Sequence, residues 1–174
     1  MNLCTTVNLN GLIDLMNMNK INIHVDNEYG FRIACCNGHK HIVEYLINLY
    51  KINTDYAKIN IHLDDEGGFR GACKYGHKHI VKYLTNLHSK NPNYAKINIH
   101  ANNEYGFRIA CFFGHSHIVE YIIKLHKIEP TYAKINIHAN NDEGFKFARV
   151  YKHIAKYLLS CGSHDKNYKC IIIL

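Results

Sequence analysis

Apolar residues recur along this chain at a helical interval. Ile42, Tyr45, Leu46 and Leu49 fall at i, i+3, i+4 and i+7, one stripe along a helix. The stripe returns as Ile80, Tyr83, Leu84 and Leu87, as Ile118, Tyr121, Ile122 and Leu125, and in shortened form as Ile154, Tyr157 and Leu158. Ahead of the first lies a smaller set, Phe31, Ala34 and Cys35, which returns as Phe69, Ala72 and Cys73 and as Phe107, Ala110 and Cys111. Its i, i+3, i+4 spacing predicts a shorter helix, and the glycine that follows is suited to end it. Two helices joined by so few residues fold back antiparallel. The small Ala/Cys pair lets a neighbouring layer approach closely.

The pairs keep a fixed register. Ile-Asn-Ile-His begins at Ile21, Ile59, Ile97 and Ile135, each 38 residues after the last. Gly30-Phe31-Arg32 returns as Gly68-Phe69-Arg70, Gly106-Phe107-Arg108 and, altered, Gly144-Phe145-Lys146; Gly38-His39 returns at Gly76-His77 and Gly114-His115. A helix pair this short cannot bury both faces alone, so stacking is obligatory and the Phe, Cys, Ile and Tyr rows are expected to form a core. Between pairs, Asn53–Lys58, Asn91–Lys96 and Glu129–Lys134 read as a turn or short helical step. The β-prone Ile-Asn-Ile-His then reads as an extended finger.

This register divides the chain into repeats at 21–58, 59–96 and 97–134, with a degenerate capping repeat at 135–160. In that last unit Tyr151 runs straight into Lys152-His153, as though the Gly-His turn were deleted, and Arg149 stands where cysteine would face another layer. Its outer face is expected to meet water. Residues 1–20, with Leu12, Leu15 and Met16, predict a partial repeat or cap helix, and 161–174 form a tail. At 174 residues, no second domain is required.

These residues resemble the ankyrin repeat, whose first helix reads roughly T-P-L-H-x-A-A and whose second begins G-H-x-x-I-V-x-x-L-L. Aligned on Gly38-His39, Tyr29–Cys35 takes the first place and Lys40–Leu46 continues the second. Ile-Asn-Ile-His is similar to the V-N-A-x hairpin between repeats. The resemblance covers residues 21 to 160 and implies an all-α, ankyrin-type solenoid of stacked antiparallel helix pairs with short extended finger loops. Two departures stand out. The period exceeds the usual ~33 residues by the length of a longer elbow after the second helix. The T-P-L-H box carries glycine for proline and arginine for histidine, a style similar to the ankyrin repeat proteins of mimivirus-type giant DNA viruses. Such an origin implies an intracellular protein, in the host cytoplasm, acting on host proteins.

Composition adds a bias rather than a site. With 47% hydrophobic and 20% charged residues the chain reads as folded and soluble. A net charge of +7 favours acidic partners or nucleic acid, although Lys, Asn, Ile and Tyr are the residues an A/T-rich gene would supply anyway. Met1–Thr6 has no basic and apolar leader pattern, and no stretch approaches ~20 apolar residues. Cys170 is fifth from the end, one place wrong for prenylation. Seven cysteines without paired C-x-x-C spacing suit a reducing compartment.

Candidate chemistry is mostly absorbed by the scaffold. Fourteen histidines include His39-Lys40-His41, His77-Lys78-His79 and His115-Ser116-His117, but i and i+2 do not share a helix face. His24, His62, His100 and His138 share a face only across layers ~8–10 Å apart, too far for zinc at ~2 Å. No metal or cofactor is expected. Cys35, Cys73 and Cys111 occupy the small buried position and read as packing groups. No nucleophile, acid/base pair or phosphate loop is recognisable, so no enzyme is expected. Arg32, Arg70, Arg108 and Lys146 form a basic column that could track phosphates, but Glu28, Asp64, Glu66 and Glu104 dilute it; bonding a neighbouring loop is the plainer role.

Scaffold positions must repeat, whereas contact positions need not. Function is therefore sought where repeats differ: Tyr29 and Tyr105 in the fingers, Ile33, Gly71 and Ile109 on the first helix, and Tyr75, Phe112 and Phe113 before the Gly-His turn. Adjacent phenylalanines at positions the family leaves polar predict an exposed apolar patch. These residues are the expected contacts of a protein partner to a monomeric scaffold. The alternatives are a basic nucleic-acid-binding repeat protein and a decaying copy with no partner.

Overall fold

The structure, a computed structural model, describes residues 10, 11, 14 and 22–162. The expected cap around Leu12, Leu15 and Met16 and the tail from residue 163 onward lie outside the described residues. Among the described residues all regular structure is helical: α1 (Val25–Cys36), α2 (Lys40–Ile52), α3 (Leu63–Lys74), α4 (Lys78–Thr85), α5 (Leu87–Lys90), α6 (Ala101–Phe112), α7 (Ser116–Ile128), α8 (Ala139–Ala148) and α9 (Lys152–Ser160). No helix there is long and apolar enough to cross a membrane. The helices divide into two compact units, Met1–Ile97 and Asn98–Leu174.

In the first unit α1 packs on α2 and on α3, and α3 packs on α4. The stripes meet as their spacing requires: Phe31, Ala34, Cys35, Ile42, Leu46 and Leu49 are buried with Phe69, Ala72, Cys73, Ile80 and Leu84. Gly38 ends the right-handed run at φ +77°. His39 N–H then reaches back to the Ala34 carbonyl at 3.0 Å, the bond that closes a glycine-ended helix. Gly68 has a second duty. A Cβ there would fall 2.6 Å from Phe31 Cε1, so the absence of a side chain lets the phenylalanine of one layer cover the next.

The second unit repeats this plan. α6 packs on α7 and α8, and α9 packs on α7 and α8. A Cβ at Gly144 would meet Phe107 Cε1 at 2.6 Å. The missing Gly-His turn is absorbed by Tyr151, which precedes α9 and whose ring covers Gly114, as His77 covers Gly38 in the first unit. Arg149 is exposed and Val150 is 78% exposed.

Two features depart from the sequence reading. The second helix of the second repeat breaks between α4 and α5, where the buried Thr85 hydroxyl bonds the Val81 carbonyl at 3.0 Å and competes with the helical ladder. The fingers are not extended either. Asn22 Oδ1 accepts the His24 N–H at 2.9 Å, a tight side-chain turn. Past Val25, three residues, Asp26, Asn27 and Glu28, adopt left-handed helical angles, φ 49°, 55° and 59°. The same turn recurs at Asp64–Glu66, Asn102–Glu104 and Asn140–Asp142.

Left-handed geometry costs roughly 1–2 kcal/mol per ordinary residue, least for Asn and Asp. Charge-assisted hydrogen bonds offset it. Arg32 donates to the carbonyls of Asn27 (2.9 Å) and Asp26 (3.0 Å). The buried Glu28 carboxylate accepts His24 Nδ1–H at 2.9 Å and Asn60 N–H, from the following repeat, at 3.1 Å. Asn27→Gly is therefore expected to hold or raise stability, by up to ~1 kcal/mol, because glycine enters this region without a Cβ clash. Asn27→Val is expected to lose about 2 kcal/mol, since a β-branched residue there is strained. Urea unfolding midpoints of the two variants, moving in opposite directions, check the turn.

The longer elbow also has a structural occupant. Tyr94 is buried, its hydroxyl donating to the Ile47 carbonyl at 2.8 Å and its ring meeting Tyr50 edge-on at 6.2 Å. The Lys58 ammonium lies 5.0 Å from the ring centroid, a cation–π contact. Tyr132, its counterpart in the next elbow, is likewise buried.

Candidate functional site

The basic column is spent on the scaffold. Beyond its own turn, Arg32 donates to Asp64 Oδ2 at 3.0 Å. Arg70 bonds the Asp64 carbonyl at 2.7 Å. Arg108, buried, donates to the Asn103 carbonyl at 2.7 Å and the Asn102 carbonyl at 2.9 Å, and pairs with Glu143. These guanidiniums are held edge-on to their own loops, as the plainer sequence reading expected. Only Lys146, in the altered fourth repeat, departs from arginine.

Histidines also have local partners. His62 and His100 repeat the His24 arrangement, their Nδ1 atoms 2.9 and 2.8 Å from Glu66 and Glu104. His77 Nε2 bonds the Cys36 carbonyl at 2.8 Å, and His79 Nε2 the Gly38 carbonyl at 3.1 Å. The His-x-His pairs lie closer than helical register allows, with ring centroids 5.9–6.2 Å apart, because the first histidine of each precedes its helix. Each pair stands without a third ligand: among the described residues no three metal-ligating side chains converge. Cys35, Cys73 and Cys111 are fully buried, and desolvation pushes the thiols of Cys73 and Cys111 far above the usual range, away from the reactive thiolate.

The expected contact residues fall into three groups. Gly71 is buried: a Cβ there would lie 2.4 Å from Cys36 Sγ, so this position packs against α1 and presents nothing to a partner. Ile33, Tyr105 and Ile109 are half-buried, with the Arg108 guanidinium 5.4 Å from the Tyr105 ring. Tyr29 at 36%, Tyr75 at 52%, Phe112 at 47% and Phe113 at 41% are exposed.

Phe112 and Phe113 are the two that build something. Their rings meet edge-on with centroids 4.9 Å apart, and Phe112 meets Phe147 at 4.8 Å. Phe113 stacks on His115 at 6.3 Å, inclined by 19°. Three phenylalanines and an imidazole thus share one partly exposed surface of the second unit. In the first unit the equivalent of Phe112 is Cys36 and that of Phe147 is Gly71, so the same two sites hold a small, closed pair. Sequence comparison between repeats found Phe112 and Phe113 but not their contact with Phe147, which links residues 35 apart in adjacent layers.

Comparison with family models, curated proteins and solved structures finds no match.

Proposed function

We propose that the chain is an ankyrin-type solenoid that binds a protein partner, with Phe112, Phe113 and Phe147 as the anchor. The carrying observation is the exposed aromatic cluster. Aromatic side chains gathered on a rigid element are the usual centres of interface energy, because they bury large area at small entropic cost. The resemblance of the repeats to ankyrin units supports the reading, as does the packing of successive layers within each unit. The viral style of the repeats makes a host protein the natural target and the host cytoplasm the place of action. No catalytic role is proposed.

The experiment is a pull-down from the producing cell with the intact chain and with Phe112→Ala/Phe113→Ala, followed by mass spectrometry and titration of the recovered partner. Loss of an aromatic anchor is expected to weaken binding by at least ~30-fold, the effect of a hot spot of about 2 kcal/mol. A partner held equally well by both proteins rejects the anchor. The nucleic-acid alternative is disfavoured by the engaged arginine column. It predicts an affinity that falls steeply with salt in filter binding, and that behaviour is not expected here.

A further inference from the structure

We propose that a cavity between α7 and α9 is the seat of Tyr168, supplied by this chain's own C-terminal segment. The cavity, about 380 Å³ in volume, is lined by Ile123, His126, Lys134, Tyr157 and Cys161, among others. The first three stand 76 residues, two repeat intervals, after residues that surround the buried ring of Tyr94 in the first unit. Ile123 corresponds to Ile47, whose carbonyl accepts the Tyr94 hydroxyl; His126 to Tyr50, whose ring meets Tyr94 edge-on; Lys134 to Lys58, whose ammonium lies over the ring. Tyr157 follows Tyr83 by 74 residues, the deficit of two being the missing Gly-His turn. The Tyr83 hydroxyl is close enough to that of Tyr94 to act on its ionisation. Position by position, the cavity reproduces a tyrosine seat.

The same count identifies the occupant. Seventy-four residues after Tyr94 stands Tyr168. Its neighbours agree: Asn93-Tyr94 matches Asn167-Tyr168, and Ile97 and Ile99 match Ile171 and Ile173. Residues 165–173 thus repeat the sequence pattern of the elbow and of the Ile-x-Ile that follows it. The chemistry of the cavity suits a phenol. Ile123 offers an apolar wall, the Lys134 ammonium a partner for a ring face, and the Ile123 carbonyl an acceptor. That carbonyl takes the helical Lys127 N–H and the His126 Nδ1–H at 2.9 Å, so a phenol hydroxyl bonds it in place of the imidazole.

Cys161, half-buried at the cavity wall, reports occupancy. In the full chain, alkylation of Cys161 is followed by peptide mass mapping in wild type, Tyr168→Ala and Tyr168→Phe. Tyr168→Ala is expected to accelerate labelling by about tenfold or more, as access governs thiol reactivity. Tyr168→Phe, which keeps the ring, is expected to change it by less than about threefold. An unchanged rate in Tyr168→Ala overturns the assignment. Fully buried Cys73 in the same digest confirms that the fold persists. Should Cys73 also become reactive, a benzophenone side chain placed at 168 decides: adducts on the same molecule's peptides carrying His126 or Lys134 support the seat. Adducts elsewhere, or on a second copy, overturn it.

Discussion

Replacing Phe107 by alanine is expected to lower the unfolding free energy by about 3–5 kcal/mol, because a fully buried aromatic ring leaves a cavity its neighbours cannot fill. The more discriminating result concerns the glycine beneath that ring. A helical glycine is normally improved by alanine, by roughly 0.5–1 kcal/mol. At Gly144 the sign is expected to reverse, with a loss of about 1–3 kcal/mol from overpacking, since the added Cβ would sit 2.6 Å from Phe107 Cε1. Shrinking the ring to leucine frees that space. Gly144→Ala made on a Phe107→Leu background is then expected to be neutral or stabilising, so the cycle is strongly non-additive. Urea denaturation of the four proteins measures it. If Gly144→Ala stabilises the otherwise unaltered chain, the close approach of ring and backbone is not as described.

The second large effect concerns the elbow. Tyr94→Ala is expected to cost about 3–5 kcal/mol through lost burial, and Tyr94→Phe about 1 kcal/mol through the lost bond to the Ile47 carbonyl. Tyr94→Phe also alters the response to alkali. Burial, followed by the neighbouring Tyr50 and Tyr83 hydroxyls, raises the pKa of Tyr94 above the ordinary tyrosine value. The folded chain therefore holds this proton more tightly than the unfolded chain does. The resulting stability is complete below the unfolded value of about 10 and is lost as pH rises beyond it. Desolvation raises Tyr83 too, and raises Tyr157 to about 12, so part of the alkaline loss remains in the variant. Thermal unfolding at a series of alkaline pH values is expected to show a shallower decline for Tyr94→Phe than for wild type. Identical slopes would remove Tyr94 from the account.

The helix pairs were legible because a stripe such as Ile42, Tyr45, Leu46 and Leu49 has one physical reading, and because the interval of 38 residues repeats it. The left-handed turns were not. Asp26-Asn27-Glu28 contains no glycine, the usual sign of positive φ, and each residue is merely polar when taken alone. The readable clue was collective: two Asn or Asp residues followed by an acid, four places after a histidine, in every repeat. Glu28, Glu66 and Glu104 are buried and bonded to their half-buried histidines, and Arg32, Arg70 and Arg108 hold the turn carbonyls. For the expected contacts, exposure of Phe112 and Phe113 followed from pattern, whereas the burial of Gly71 and the partnership of Phe112 with Phe147 depend on which layers adjoin. Linear sequence does not state that.

The exchange of Cys36 and Gly71 in one unit for Phe112 and Phe147 in the other has a bearing on how such a molecule changes over generations. The closed pair of the first unit and the partly exposed pair of the second are accommodated by the same surrounding frame, and in each pair the two members lie 35 residues apart, within the length of a single repeat. Unequal crossing-over between copies can thus move the aromatic pair from one repeat to another in one genetic event, with its supporting frame intact. New surfaces can then arise by shuffling modules instead of rebuilding a face one substitution at a time.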